Sequence, residues 1–146
     1  MKQVHLIVGI ITILLTGVAA AYGAWCWWRI QNSVWFWRLL RASQAAIVVQ
    51  AALGGVLVLL GHKAPWLHVL YGVLPLFVSF IAEQLRVSTA QMVLDRGGFE
   101  SAQAVGKLRD SEQQQIVVTI MRRELGVMAL AALVNVILLA RAAMTH

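Results

Sequence analysis

Four apolar runs, separated by short polar or mixed stretches, set the pattern of this chain: Val4 to Trp25, Ser43 to Gly61, Pro65 to Leu85 and Leu125 to Ala143. Each holds about the 20 residues that a helix needs to cross a hydrocarbon core roughly 30 Å thick. Lipid offers an open backbone no hydrogen-bonding partner, so such segments cross as helices. The pattern predicts an all-α integral membrane protein, a four-helix transmembrane bundle forming one domain over residues 1–146.

The punctuation between the runs refines this picture. Pro65 suits a first helical turn and Trp66 the headgroup level, which marks one boundary of the third span. Pro75 falls mid-span and removes a backbone hydrogen bond, so a kink is expected there, with Ser79 one turn later helping to satisfy the freed carbonyl. Gly17, Ala20, Ala21 and Ala24 in the first span, and Gly54-Gly55 in the second, permit close helix approach. The second span reads as a helix from around Val34. Gly61-His62-Lys63-Ala64 is short enough to force a tight turn, so spans two and three are expected to form an antiparallel hairpin.

Beyond Leu85 the helical pattern continues through VSTAQMVLDR to the breaker Gly97-Gly98. Residues Phe99 to Arg109 are polar and mixed, with room for a short helix. Asp110-Ser111-Glu112 offers N-cap chemistry, and Ile116, Val117, Ile120 and Met121 then recur at helical spacing into the last span. Residues 86–123 therefore predict a helical hairpin outside the membrane. The first run, with Lys2 before it and Ala19-Ala20-Ala21 near its end, also has the outline of a cleavable leader. Bulky Trp25 precedes Cys26 where a lipoprotein site has a small residue, and the run reads as a retained span.

Between the first two spans, Trp25, Trp27, Trp28, Trp35 and Trp37 interleave with Arg29, Arg38 and Arg41. Aromatic rings favour the headgroup level while arginines reach for phosphate and water, so this is an interfacial belt with its turn at Gln31-Asn32-Ser33. Stacked aromatics and arginines also serve single-stranded nucleic acid. Placed between two spans, they point to the lipid bilayer as partner and to no nucleic acid.

Composition agrees. The 146 residues are 60% hydrophobic and 12% charged, with mean hydropathy +0.77, against about 25% charged residues in soluble domains. The net charge of +6 is scattered among the spans and forms no basic face, so it describes topology rather than a polyanionic partner. Lys and Arg flanking the spans number nine in the two longer connections (Arg29, Arg38, Arg41, Arg86, Arg96, Lys107, Arg109, Arg122, Arg123) and three on the other side (Lys2, Lys63, Arg141). This bias predicts a multi-pass protein of the cell inner membrane with both longer connections in the cytoplasm and both termini outside. Cys26 is the sole cysteine, which excludes an intrachain disulfide and a structural zinc site of several thiolates.

With that orientation all four histidines, His5, His62, His68 and His146, lie toward the outer face. Neutral imidazole ligates haem iron, copper and zinc, and side chains from different helices can converge on one ion or macrocycle. His68 with His5 or His62 is the candidate cofactor site, for haem b or copper, and Met1 and Met144 add soft donors. The commoner role of such residues is an interfacial histidine bonded to backbone, lipid or Tyr71. Gln50 and Asn135 lie near the centres of spans two and four at similar depth. A polar amide in hydrocarbon needs a partner, so the two are expected to bond to each other or to cap the opening at Pro75. Glu83, Arg86, Arg122, Arg123 and Glu124 are expected to gather at the inner face. No carboxylate lies in a span interior, and no phosphate-binding glycine loop, nucleophile elbow or catalytic triad is present, so nothing points to an enzyme.

Two stretches, HVLYGVLPLFVSFIAEQLR (His68 to Arg86) and RRELGVMALAA (Arg122 to Ala132), resemble an uncharacterised family of small four-span bacterial membrane proteins. That resemblance implies the four-span fold and no activity. The histidines near one face are more distantly similar to haem-binding four-helix membrane cytochromes and to haem A synthase halves. There, paired histidines lie within adjacent spans, whereas here His68 alone is clearly inside one. The leading expectation is a structural or accessory protein of a bacterial inner-membrane assembly, with other membrane subunits or a second copy as partners. A haem- or copper-binding membrane protein and a small transporter using Gln50 and Asn135 are the alternatives.

Overall fold

The computed structural model describes residues 2–145. The described residues are 86% helical and contain no strand. In chain order the helices are α1 (Lys2–Arg29), α2 (Val34–Leu59), α3 (Trp66–Arg96), a single turn α4 (Ala102–Val105) and α5 (Asp110–Met144). The four long ones are each apolar and long enough to cross a membrane, which makes the chain a multi-pass membrane protein. Their 28, 26, 31 and 35 residues exceed the roughly 20 that a bilayer requires. In α3 and α5 the excess forms the expected extension, closed by the turn that holds α4.

The outer surface of the bundle is apolar. Leu6, Ile7, Leu14, Leu59, Phe77 and Phe80 are all exposed. Exposure on this scale would drive association in water and is what lipid-facing positions require. The helices pack in the spatial order α2, α1, α5, α3, with α5 seated between α1 and α3. Helices α2 and α3, joined by the short turn, meet only sparsely, so the expected hairpin of spans two and three is splayed. A short connection ties two helix ends together; close packing along their length needs small residues on the facing sides, and those lie on α1 and α5.

Close packing follows a seven-residue rhythm. On α1 the inward positions are His5, Gly9, Thr12, Thr16, Ala19, Gly23 and Cys26; on α2 they are Phe36, Leu40, Ser43, Ile47, Gln50, Gly54 and Leu57. A sustained heptad spacing keeps one seam facing its partner and imposes a left-handed supercoil. Large residues sit opposite glycines across this antiparallel pair: a Cβ on Gly23 would collide with the Phe36 ring. The hydroxyls of Thr12, Thr16 and Ser43, buried in the seam, donate to Val8 O (2.7 Å), Thr12 O (2.6 Å) and Leu40 O (2.9 Å) of their own helices. Each is thereby satisfied without water.

Three helix ends are closed in the same way, by a left-handed residue with paired 5→2 and 6→1 backbone bonds. Gly61 (φ 83°) and Gly98 (φ 72°) take this conformation after α2 and α3, at the turns expected from the sequence. After α1 the residue is Ile30 (φ 52°), with Ile30 N–H bonded to Trp27 O and Gln31 N–H to Cys26 O. A β-branched side chain there carries strain that glycine would not. Two expected details differ. Helix α5 is capped at Arg109, one residue before Asp110, where the Glu112 carboxylate accepts from the Arg109 backbone N–H at 3.3 Å. Helix α3 runs on through the buried Pro75, and Ser79 Oγ accepts a hydrogen bond from Asn135 Nδ2 at 2.9 Å rather than serving the carbonyl freed by the proline.

Candidate functional site

The end of the bundle that holds the start of α1, the end of α5 and the α2–α3 turn collects polar side chains from three helices. His5 of α1 lies across Gly54 of α2, where an added Cβ would come within 3.2 Å of its Cε1; Gln50 of α2 lies across Gly9 of α1, where an added Cβ would come within 2.8 Å of its Nε2. The two helices thus exchange a polar side chain for a glycine in each direction, about one helical turn apart. Gln50 Nε2 and His5 Nε2 are 3.3 Å apart. His68 of α3 stands edge-on to His5, ring centroids 6.0 Å apart at 61° between planes.

The hydrogen bonds determine which nitrogens can act. His68 Nδ1 lies 2.9 Å from the carbonyl oxygen of Ala142 on α5. A carbonyl accepts only, so Nδ1 carries the proton and Nε2 of the neutral ring keeps its lone pair. On the other ring, His5 Nδ1 is buried without a partner, as is Gln50 Oε1. A half-turn of the Gln50 amide exchanges its donor and acceptor ends, so His5 can accept from Gln50 or donate to it. In either arrangement the neutral pair leaves one donor and one acceptor unmatched. When His5 Nε2–H donates to the Gln50 carbonyl, both imidazoles hold one N–H on a carbonyl and keep the other nitrogen's lone pair free, the pattern by which metal-binding histidines are oriented.

The sequence-based candidates divide accordingly. His5, His68 and Gln50 come together. His62 is exposed in the α2–α3 turn, and its ring makes no hydrogen bond among the described residues. Met1 and His146 lie outside the described residues, and Met144 is exposed at the end of α5. Gln50 and Asn135 do not meet: Asn135, buried at 3% exposure, bonds to Ser79 and leaves its Oδ1 unpartnered. Tyr71 faces the Arg141 guanidinium, 5.8 Å from its ring centroid, and not a histidine. The sequence reading missed Gly9 and gave Gly54 only as a point of close helix approach; the absent side chains of both make room for the polar ones. The available signal was the 4-3-4-3 spacing of small and polar residues along both helices.

A single bridging ion suits this pair better than a macrocycle. A metal–nitrogen bond of about 2.0 Å plus the ring radius on each side places two bridged imidazole centroids about 6 Å apart. Haem would need a flat slot between the rings, and the space beside His5 is filled by His68, Gln50 and the Gly54 backbone. Among the described residues no group of three or more His, Cys, Asp or Glu side chains could hold a metal ion. A tetrahedral zinc site of such ligands is therefore not formed.

The opposite end of the bundle is built differently. Glu83 of α3 bonds to Arg41 of α2 and, at 3.1 Å each, to Gln44 and Arg86, while the Arg86 guanidinium stands 5.4 Å from the Trp37 ring centroid. Arg122, Arg123 and Glu124, expected in this cluster, form no ion pair among the described residues. No family model, curated protein or solved structure matches this chain.

Proposed function

We propose that this chain is a metal-binding membrane protein that holds one copper(I) ion between His5 and His68, with Gln50 orienting His5. The observation that supports this reading is the pair of imidazoles from different helices, 6.0 Å apart, beside buried polar atoms that no protein group satisfies. Buried polar groups in a settled core have partners, so a purely structural bundle gives no reason for these orphans. Copper(I) is the fitting ion because a monovalent cation loses less solvation on entering a low-dielectric site than a divalent one and accepts two imidazoles as its ligands. The nine Lys and Arg of the longer connections against three on the other side support a bacterial inner membrane with the site facing outward, as does the resemblance of residues 68–86 and 122–132 to small four-span bacterial proteins.

The test is copper(I) titration of the purified protein against a chromophoric chelator. One equivalent should bind, His5→Ala and His68→Ala should each weaken it at least tenfold, and His62→Ala should leave it unchanged. Absence of uptake, or equal loss in His62→Ala, sinks the assignment; a Soret band lost in His68→Ala would replace copper by haem. A second reading, an accessory subunit, draws on the hairpin formed by α3 and α5 beyond the bundle, which offers a docking arm to a larger assembly. The transporter reading has less support, because Gln50 and Asn135 bond to separate partners.

A further inference from the structure

We propose that the cleft along α1 and α5, at the end of the bundle carrying the longer connections, is a specific site for one anionic glycerophospholipid of the adjacent leaflet. Two cavities meet there. One, of about 310 Å³, is walled by Gly17, Ala21 and Ala24 of α1 and by Ala129, Leu130 and Leu133 of α5. The other, of about 540 Å³, is lined by Arg122, Arg123, Thr89 and Thr119. Trp27 and Leu130 border both, so the two lie side by side along the cleft, which is apolar toward the bilayer centre and cationic at its mouth.

Each part matches one part of a phospholipid. Gly17 to Ala24 covers about 10 Å of helix at 1.5 Å per residue, a stretch along which small side chains leave a groove for an acyl chain; nothing stands within 4 Å of a Cβ placed on Gly17. The mouth lies where α5 enters its apolar span, at headgroup depth. Arg122 and Arg123 stand there without an ion-pair partner among the described residues, whereas Arg41, Arg86 and Arg109 are paired with carboxylates. Guanidinium groups bind phosphate oxygens in a planar, forked geometry, and basic pockets between spans are where anionic headgroups bind. The Thr89 and Thr119 hydroxyls donate to Leu85 O and Gln115 O, which leaves the two arginines as headgroup donors. The Trp27 ring is held in place against Gly126 of α5, where an added Cβ would come within 2.9 Å of its Nε1.

Native mass spectrometry of the protein in neutral detergent, with phosphatidylglycerol and phosphatidylcholine at equal concentration, tests this. One phosphatidylglycerol should bind per chain, preferred over phosphatidylcholine by about thirtyfold for two arginines at the headgroup. The R122Q/R123Q variant should lose that preference and R122K/R123K keep most of it. The R29Q/R38Q variant, with the same change in charge elsewhere in the belt, should keep it. A21L/A24L, which fills the apolar groove at exposed positions, should weaken both lipids. Retention of the preference in R122Q/R123Q, its equal loss in R29Q/R38Q, or displacement of the lipid by inorganic phosphate would each overturn the proposal.

Discussion

The α1–α2 seam differs between the two ends of this bundle: toward the longer connections it is closed and apolar, toward the α2–α3 turn it carries polar side chains with unmatched atoms. Toward the longer connections, Cys26, Phe36, Leu40, Leu125 and Met128 form a closed apolar cluster, and Arg41 and Arg86 are joined through Glu83. Toward the termini, the same seam carries His5 and Gln50 where apolar residues would pack, and buried polar atoms stand without partners. Polar groups left in this state lower stability. Among the described residues, His5 and Gln50 hold two of the three such atoms and Asn135 Oδ1 is the third, whereas a sequence selected only for packing would place a methyl-bearing side chain at each of these positions.

Three experiments can break or sharpen this contrast. Phe36→Ala empties the space over Gly23 in the closed end and should lower the unfolding free energy by about 3 kcal/mol, the usual cost of removing a buried aromatic; unfolding in a denaturing-detergent titration measures it, and a loss near zero would show that this end is not the rigid one. Replacing His5 by Leu and Gln50 by Met together removes both orphaned atoms along with the bond between the two side chains, so in the same titration the double variant should raise stability by about 1 kcal/mol. A loss of similar size would mean that the His5–Gln50 contact is structural glue and that the open end is no different from the closed one. The smallest effect belongs to Arg41 and Glu83. Both are partly exposed, at 49% and 24% of their side chains, and a double-mutant cycle on Arg41→Ala and Glu83→Ala should give a coupling of about 0.5 kcal/mol that fades with added salt.

Much of the fold was legible because membrane spans are specified locally. Each run of about 20 apolar residues declares a helix, and Gly61, Gly98 and the polar stretch around Gln31 declare where the helices stop. The positions of α2 and α3 were equally legible, but their splay was not: chain connectivity fixes which ends are near, whereas which faces pack depends on side-chain sizes on other helices. Site residues followed the same division. His5 and His68 could be placed at one end by counting along their spans. The pairing of Gln50 with His5 rather than Asn135 could not, because depth along the membrane normal says nothing of rotation about a helix axis.

The sequence by itself determined that four apolar helices form, where each begins and ends, and which chemistry is present to be used, since these depend on local hydrophobicity and backbone capping alone. Tertiary structure decided that α5 rather than α2 neighbours α3 closely, that glycines on one helix receive the polar side chains of the next, and that the rings of His5 and His68, distant in sequence, come within 6.0 Å of each other. Those outcomes rest on the rotational setting of each helix, which is fixed only when all four seams are filled at once.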